Sequence, residues 1–141
     1  LSTIADRGKG RIFVQATPGA FVTPVDPVAF AEGFDVAEQE AEIRACYTIA
    51  DTRSFDQDPR FGASVLAEIA SRALSPGIND PGTAIDVIGR AVRLLAIAAE
   101  PGAPQQEVAC PRVHVPPIAI GDLFDDLFTP IARDGAGVVE I

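Results

Sequence analysis

The stretch Arg72-Ala73-Leu74-Ser75-Pro76-Gly77-Ile78-Asn79-Asp80-Pro81-Gly82-Thr83-Ala84 stops one helix and starts another within a few residues. Leu74 closes an apolar helical pattern. Pro76 removes a backbone donor and restricts Ser75, so that helix cannot run on. Gly77 is free to take the positive φ that a chain reversal often needs. Asp80 stands immediately before Pro81, the arrangement of an N-cap followed by a first-turn proline. The sequence therefore predicts two helices meeting at a polar corner, and that corner is where a site would lie.

Working outward, the upstream helix begins at Asp58-Pro59, a second Asp-Pro start. Phe61, Val65, Ile69 and Ala73 recur every fourth residue, and Leu66, Ala70 and Leu74 widen the apolar stripe. Downstream, Ala84, Ile85, Ile88, Ala91, Val92 and Leu95 share one side of a helix reaching Ala99. Val87 and Leu94 leave it only the polar stripe Asp86, Arg90 and Arg93, which predicts a helix covered on most sides. Another helix is expected from Val36 to about Ala50, with Ile43, Cys46, Tyr47 and Ala50 on one face. A last one runs from Ile120 to about Ala132, burying Leu123, Phe124, Leu127, Phe128 and Ile131, with Pro130 kinking or ending it.

The N-terminal third is different. Residues 1–7 look like a helix tail closed by Gly8-Lys9-Gly10, and Arg11–Ala16 is rich in strand formers. Thr17-Pro18-Gly19 and Thr23-Pro24-Val25-Asp26-Pro27 are turns, and Val28–Ala31 returns as a strand. Glu107–Val115 predicts a further strand, after a Pro101–Pro104 loop, and Val138–Ile141 is strand-like. The fold class is α+β: a small, mostly antiparallel β-unit packed on a helical layer with a central helix pair. Within a single domain over 1–141, the expected parts are 1–35 (β-unit and helix tail), 36–100 (helical core) and 107–141 (strand, helix, strand).

Composition bounds the function. The chain has 141 residues, is 48% hydrophobic and carries a formal charge of −9. That length suits one folded unit with a real core. The negative charge excludes nucleic acid as a partner, since phosphates demand a basic surface. His114 is the lone histidine, and Cys46 and Cys110 lie far apart, so the usual zinc sets are missing. The expectation is two buried free thiols in a reducing compartment, which favours the cytoplasmic side. Lys9, the lone lysine, lies before the first strand, so the β-turns are no lipoyl or biotinyl carrier; no cofactor and no metal are expected. The chain starts at Leu1 without Met and ends on a strand-like segment, so it is expected to be a piece of a longer protein.

These residues resemble a family of predicted bacterial membrane proteins of unknown function. The likeness is strongest in RALSPGINDPGTA (Arg72–Ala84) and in Arg53–Gly62, RSFDQDPRFG. Pro18-Gly19-Ala20-Phe21-Val22 with Pro27, Arg112-Val113-His114-Val115, and Asp122-Leu123 extend it over nearly the whole chain. Ala20 stands where an acidic residue is common, and Ala63-Ser64 replace a Leu-Arg pair, so an anion site using that arginine would be missing here. Members usually carry transmembrane helices ahead of this region. The resemblance thus implies a soluble domain whose partner is the membrane-embedded part of the same protein. It brings no activity, substrate or catalytic residue.

The polar residues to weigh are Arg53, Gln57, Asp58, Arg72, Ser75, Asn79, Asp80 and Thr83. In one account they satisfy helix ends: Asp58 and Asp80 cap, Thr83 supports the second cap, and Arg72 neutralises a helix C-terminus or pairs with an Asp. In the other, Arg53, Arg72, Asn79 and the N–H groups after Asp80 hold a small anion or polar ligand. Catalysis has little support. Ser75 has no neighbouring His or Lys, and Ser-Pro-Gly is not a nucleophile elbow. Asp56 and Asp58 fit a cap and its neighbour better than an acid/base pair. His114 alternates with Val113 and Val115 and belongs on a sheet surface. Asp122, Asp125 and Asp126 suit the first turns of a helix and do not match a calcium-loop spacing. The expected function is a non-enzymatic domain in assembly, regulation or small-ligand sensing, with a homo-oligomer as a partner state. The alternative is a hydrolase-like enzyme or an anion site at the Ser75–Asp80 corner.

Overall fold

The computed structural model describes residues 1–100 and 108–141. Contacts divide them into two compact units: Leu1–Arg53 with residues 108–117, and residues 54–100 with Ile118–Ile141. The expected loop at Pro101–Pro104 and the start of the Glu107–Val115 segment lie outside the described residues.

The first unit contains α1 (Ser2–Gly8), β1 (Arg11–Val14), β2 (Ala29–Glu32), α2 (Val36–Ala45) and β3 (Val113–His114). Its sheet has the order β2-β1-β3. β1 and β2 run antiparallel, with Arg11 opposite Glu32 and Phe13 opposite Phe30. β3 is parallel to β1, with Ile12 opposite Val113. Alternation along β1 buries Ile12 and Val14, as a pleated strand with one covered face requires. Ile12 joins Ile4, Ala5 and Ile43 in the core, with Phe34 and Tyr47 packed at its margin. α2 stops at Ala45, short of the expected Ala50, and Cys46 is exposed. Both thiols are free but exposed, which corrects the expectation of buried ones. Their sequence neighbours are mostly polar or turn-forming, and neither unit's core recruits them.

The turn after α1 holds a surprise of the same local kind. The left-handed residue is Lys9, at φ 55°, although glycines flank it on both sides. Those glycines are needed for space instead. A Cβ on Gly10 would run into the Phe34 ring and the Glu32 carbonyl oxygen, and one on Gly8 would crowd Phe34 at 2.9–3.0 Å.

The second unit is a three-helix layer: α3 (Pro59–Ala73), α4 (Pro81–Ala99) and α5 (Ile120–Gly135). α3 packs against both other helices, and α4 also touches α5. Two joined clusters form its core, one around Leu74, Val87 and Ile131, the other around Ala63, Ala91 and Leu127, with Leu66 bordering both. The α3 stripe differs from the expected one. Its buried positions are Ala63, Ala67, Ala70 and Ala73, while Ile69 is 45% exposed. A helix flanked on two sides is best approached through its small residues, which let neighbouring backbones come near.

Three further expectations are corrected. Pro130 neither ends α5 nor sits at its edge; the helix continues to Gly135. The missing Pro130 N–H removes one helical bond, and the burial of Leu127 and Ile131 on either side holds the helix together. Val138–Ile141 forms turns and no strand. Ile141 folds back onto Gly135, where a Cβ would clash with it. α4, finally, is not covered on most sides: Ala84, Val87 and Ala91 are buried, but Ile85, Val92, Leu94 and Ile97 are each about half exposed. Apolar patterning predicts a tendency to be covered, and one chain supplies cover for only one face.

Candidate functional site

The corner between α3 and α4 lies wholly within the second unit. α3 closes with the Leu74 N–H donating to the Ala70 carbonyl at 2.9 Å. The next donors turn back in order: Ser75 N–H to Arg72, Ile78 and Asn79 N–H both to Ser75, and Asp80 N–H to Ala73 at 2.8 Å. The carbonyls that a helix end leaves open are thereby used. The reversal residue is Asn79, at φ 49°, and not Gly77. Asparagine tolerates the left-handed region better than other side-chain-bearing residues. A Cβ on Gly77 would meet nothing within 4 Å.

Asp80 spends its carboxylate on the start of α4. One oxygen accepts the Thr83 N–H at 3.1 Å and the other the Thr83 hydroxyl at 2.6 Å. Those bonds from Thr83, side chain first and backbone second, hold the Asp80 carboxyl below its usual range. Asp58 does the same work for α3, accepting the Phe61 N–H at 3.0 Å, and it is a buried charged residue. Each cap is followed by a first-turn proline, as local chemistry predicts.

The remaining expected site residues are engaged locally or lie exposed. Arg72 pairs with Glu68 one turn back along α3, both well exposed, and among the described residues it meets no aspartate. The Ser75 hydroxyl donates to the Arg72 carbonyl at 2.7 Å. Gln57 is exposed beside Asp58. Arg53 closes the first unit and is itself partnered. His114 is also in the first unit, stacked on Phe13 with ring centroids 4.7 Å apart. Among the described residues no group of three His, Cys, Asp or Glu side chains is arranged to hold a metal.

A second polar feature was not legible in the sequence. Arg60, in the first turn of α3, grips Asp126 of α5 with two nitrogens, at 2.6 and 2.9 Å, and reaches Asp122 at 3.1 Å. A planar guanidinium matches a carboxylate in this forked manner. It fastens the start of α3 to α5 and explains two of the three aspartates there without a cation. The i, i+4 spacing of Asp122 and Asp126 was the available signal, but nothing in the chain identifies which arginine faces them. Below this clamp lies a shallow, open groove of about 440 Å³ lined by Ser64, Glu68, Ser71, Asp125, Thr129 and Arg133 among others. At its end Arg133 donates twice to Asp134, and those bonds lower that carboxyl to about 2.

These carboxylates set an acid limit. Asp134, Asp80 and Asp26 all have folded values below the ordinary 3.8. A depressed carboxyl contributes stability that is present above its unfolded value and lost as pH falls through its folded value. Thermal melting followed from pH 5 to pH 2 should therefore show the melting temperature falling below about pH 4. Asp80→Asn, which keeps a capping oxygen, should flatten part of that fall at little loss of neutral-pH stability.

What fold and corner define is an α+β protein whose central helix junction uses its capping carboxylate and reversal N–H groups internally. The chain belongs to a family described as predicted membrane protein, DUF2254, which it matches over residues 1–141. An uncharacterized protein of Mycobacterium bovis is 56% identical over 36 residues, which is 26% of this chain and 7% of that protein. Two uncharacterized proteins of Mycobacterium tuberculosis strains match to the same extent. The matched stretch is thus a small part of relatives several times longer than this chain. No solved structure matches. Among the described residues no helix is long and apolar enough to cross a membrane.

Proposed function

We propose that this chain is a non-enzymatic domain of a membrane protein, lying outside the bilayer and serving the assembly or regulation of the membrane-embedded part. The observation that carries the proposal is the internal satisfaction of the α3–α4 corner. Asp80 occupies the helix N-terminus that an anion would use, and Arg72 is turned to Glu68. A catalytic corner needs a nucleophile within reach of a base, and Ser75 has only a backbone carbonyl. A cytoplasmic side is part of the same reading, supported by two free, exposed thiols that suit a reducing compartment.

Thermal melting with added phosphate, nucleotide, Mg²⁺ or Ca²⁺ tests this directly. The expected result is no rise in melting temperature with any of them. A rise that disappears in Asn79→Ala or Arg72→Ala would establish the corner as a ligand site and overturn the proposal. Without ligand, Arg72→Ala should change stability by only about 0.5 kcal/mol or less, because an exposed i, i+4 pair contributes little.

A further inference from the structure

We propose that the uncovered face of α4 is a seam on which a second copy of this chain docks antiparallel. Ile85, Gly89, Val92, Ala96 and Ala99 are all exposed, with Ile85 at 49% and Val92 at 55%. They follow one another at steps of four, three, four and three residues. This is the spacing of a paired-helix seam, and none of the five belongs to the buried set Ala84, Val87 and Ala91.

Gly89 supplies an independent reason. A mid-helix glycine weakens a helix relative to alanine. Here a Cβ would meet nothing within 4 Å, so a single copy has no steric need for glycine. Gly82, Gly89 and Ala96 fall one heptad apart on the seam. Small residues at that interval let a second helix approach closely, with Ile85 and Val92 filling the space between.

Charge selects both the occupant and its direction. Asp86, Arg93 and Glu100 flank the seam on one side at heptad intervals, with alternating sign, while Ile88 and Leu95 flank it on the other. Take two antiparallel copies with Gly89 of each against Val92 of the other, and Ile85 against Ala96. The flanking positions then bring Asp86 of one copy opposite Arg93 of the other, twice by the two-fold symmetry. The apolar flanks meet each other as well. A parallel pair would set the same charges against Ile88 and Leu95. Arg93 has no ion pair among the described residues, and the Asp86–Arg90 pair is exposed and open to sharing.

This deepens the assembly reading above and fails separately from it, since the test does not touch the α3–α4 corner. Sedimentation velocity over a concentration series of the 141-residue chain should show a reversible monomer–dimer equilibrium. Gly89→Ala should raise the melting temperature of the monomer while weakening the dimer about tenfold or more. Asp86→Arg and Arg93→Asp should each weaken it about tenfold, and the double swap D86R/R93D should restore it. Melting curves confirm that each variant is folded. A chain that stays monomeric at all concentrations overturns the proposal. So does a dimer indifferent to Gly89→Ala, or a double swap no better than its single components.

Discussion

Gly10→Ala is expected to unfold much of the first unit, lowering its stability by about 2–3 kcal/mol or more. The added Cβ would overlap the Phe34 ring and the Glu32 carbonyl oxygen together. A ring can swing aside, but Glu32 is fixed in β2 opposite Arg11, so relief requires the strand pair to separate. Gly33 makes the closeness mutual: it sits at φ 85°, and a Cβ there would lie 3.1 Å from the Gly10 Cα. Gly8→Ala is the informative control, because its Cβ would meet only the Phe34 side chain. Trimming Phe34 to alanine should therefore rescue Gly8→Ala and leave Gly10→Ala unrescued. Hydrogen exchange at Gln15, whose N–H donates to the Val28 carbonyl at 2.9 Å, reads the β1–β2 side of the sheet directly. Unchanged protection in Gly10→Ala would show that β2 yields easily.

Leu127→Ala is expected to remove about 3 kcal/mol from the second unit, within the range for a cavity left at a tightly packed site. Leu127 is 1% exposed and meets Ala63 of α3 and Ala91 of α4. Leu66, Leu95, Leu123 and Phe128 border the same cluster, so partial collapse keeps the loss below the top of that range. The melting temperature of that unit should fall by about 12–24 °C. Phe124→Ala, one turn earlier on the same helix, should do far less, because Phe124 is 53% exposed. Equal losses at the two positions would contradict the assignment of the core face.

The parts of this structure readable in the sequence are those set within a few residues. Asp58-Pro59 and Asp80-Pro81 each announced a cap and a helix start, and each delivers one. The α+β class followed from the change between a turn-rich third and helical periodicity. The hidden parts depend on what comes from far along the chain. The pairing of Ile12 with Val113 joins residues a hundred positions apart, and no local preference specifies it. Lys9 takes the left-handed turn, while the glycines on either side leave room for the Phe34 ring from further along the chain. At the corner the local chemistry announced a chain reversal and a cap, and the details depend on neighbours that the sequence does not name. Asn79 makes the reversal in place of Gly77, and Arg72 turns back to Glu68. The α4 face misled for a different reason: its apolar residues reveal that it seeks cover, and the cover lies outside a single copy.

The junction account depends on Asp80 being held by α4 itself, so its carboxyl titration, followed by NMR of the side-chain carbon, is the most direct measurement. The value should lie below the ordinary 3.8 and move back toward it in Thr83→Val, which removes the strongest of its partners. An Asp80 that titrates at or above 3.8 in the folded protein would mean the carboxylate is not engaged by its cap, and the corner would have to be reconsidered as an open site.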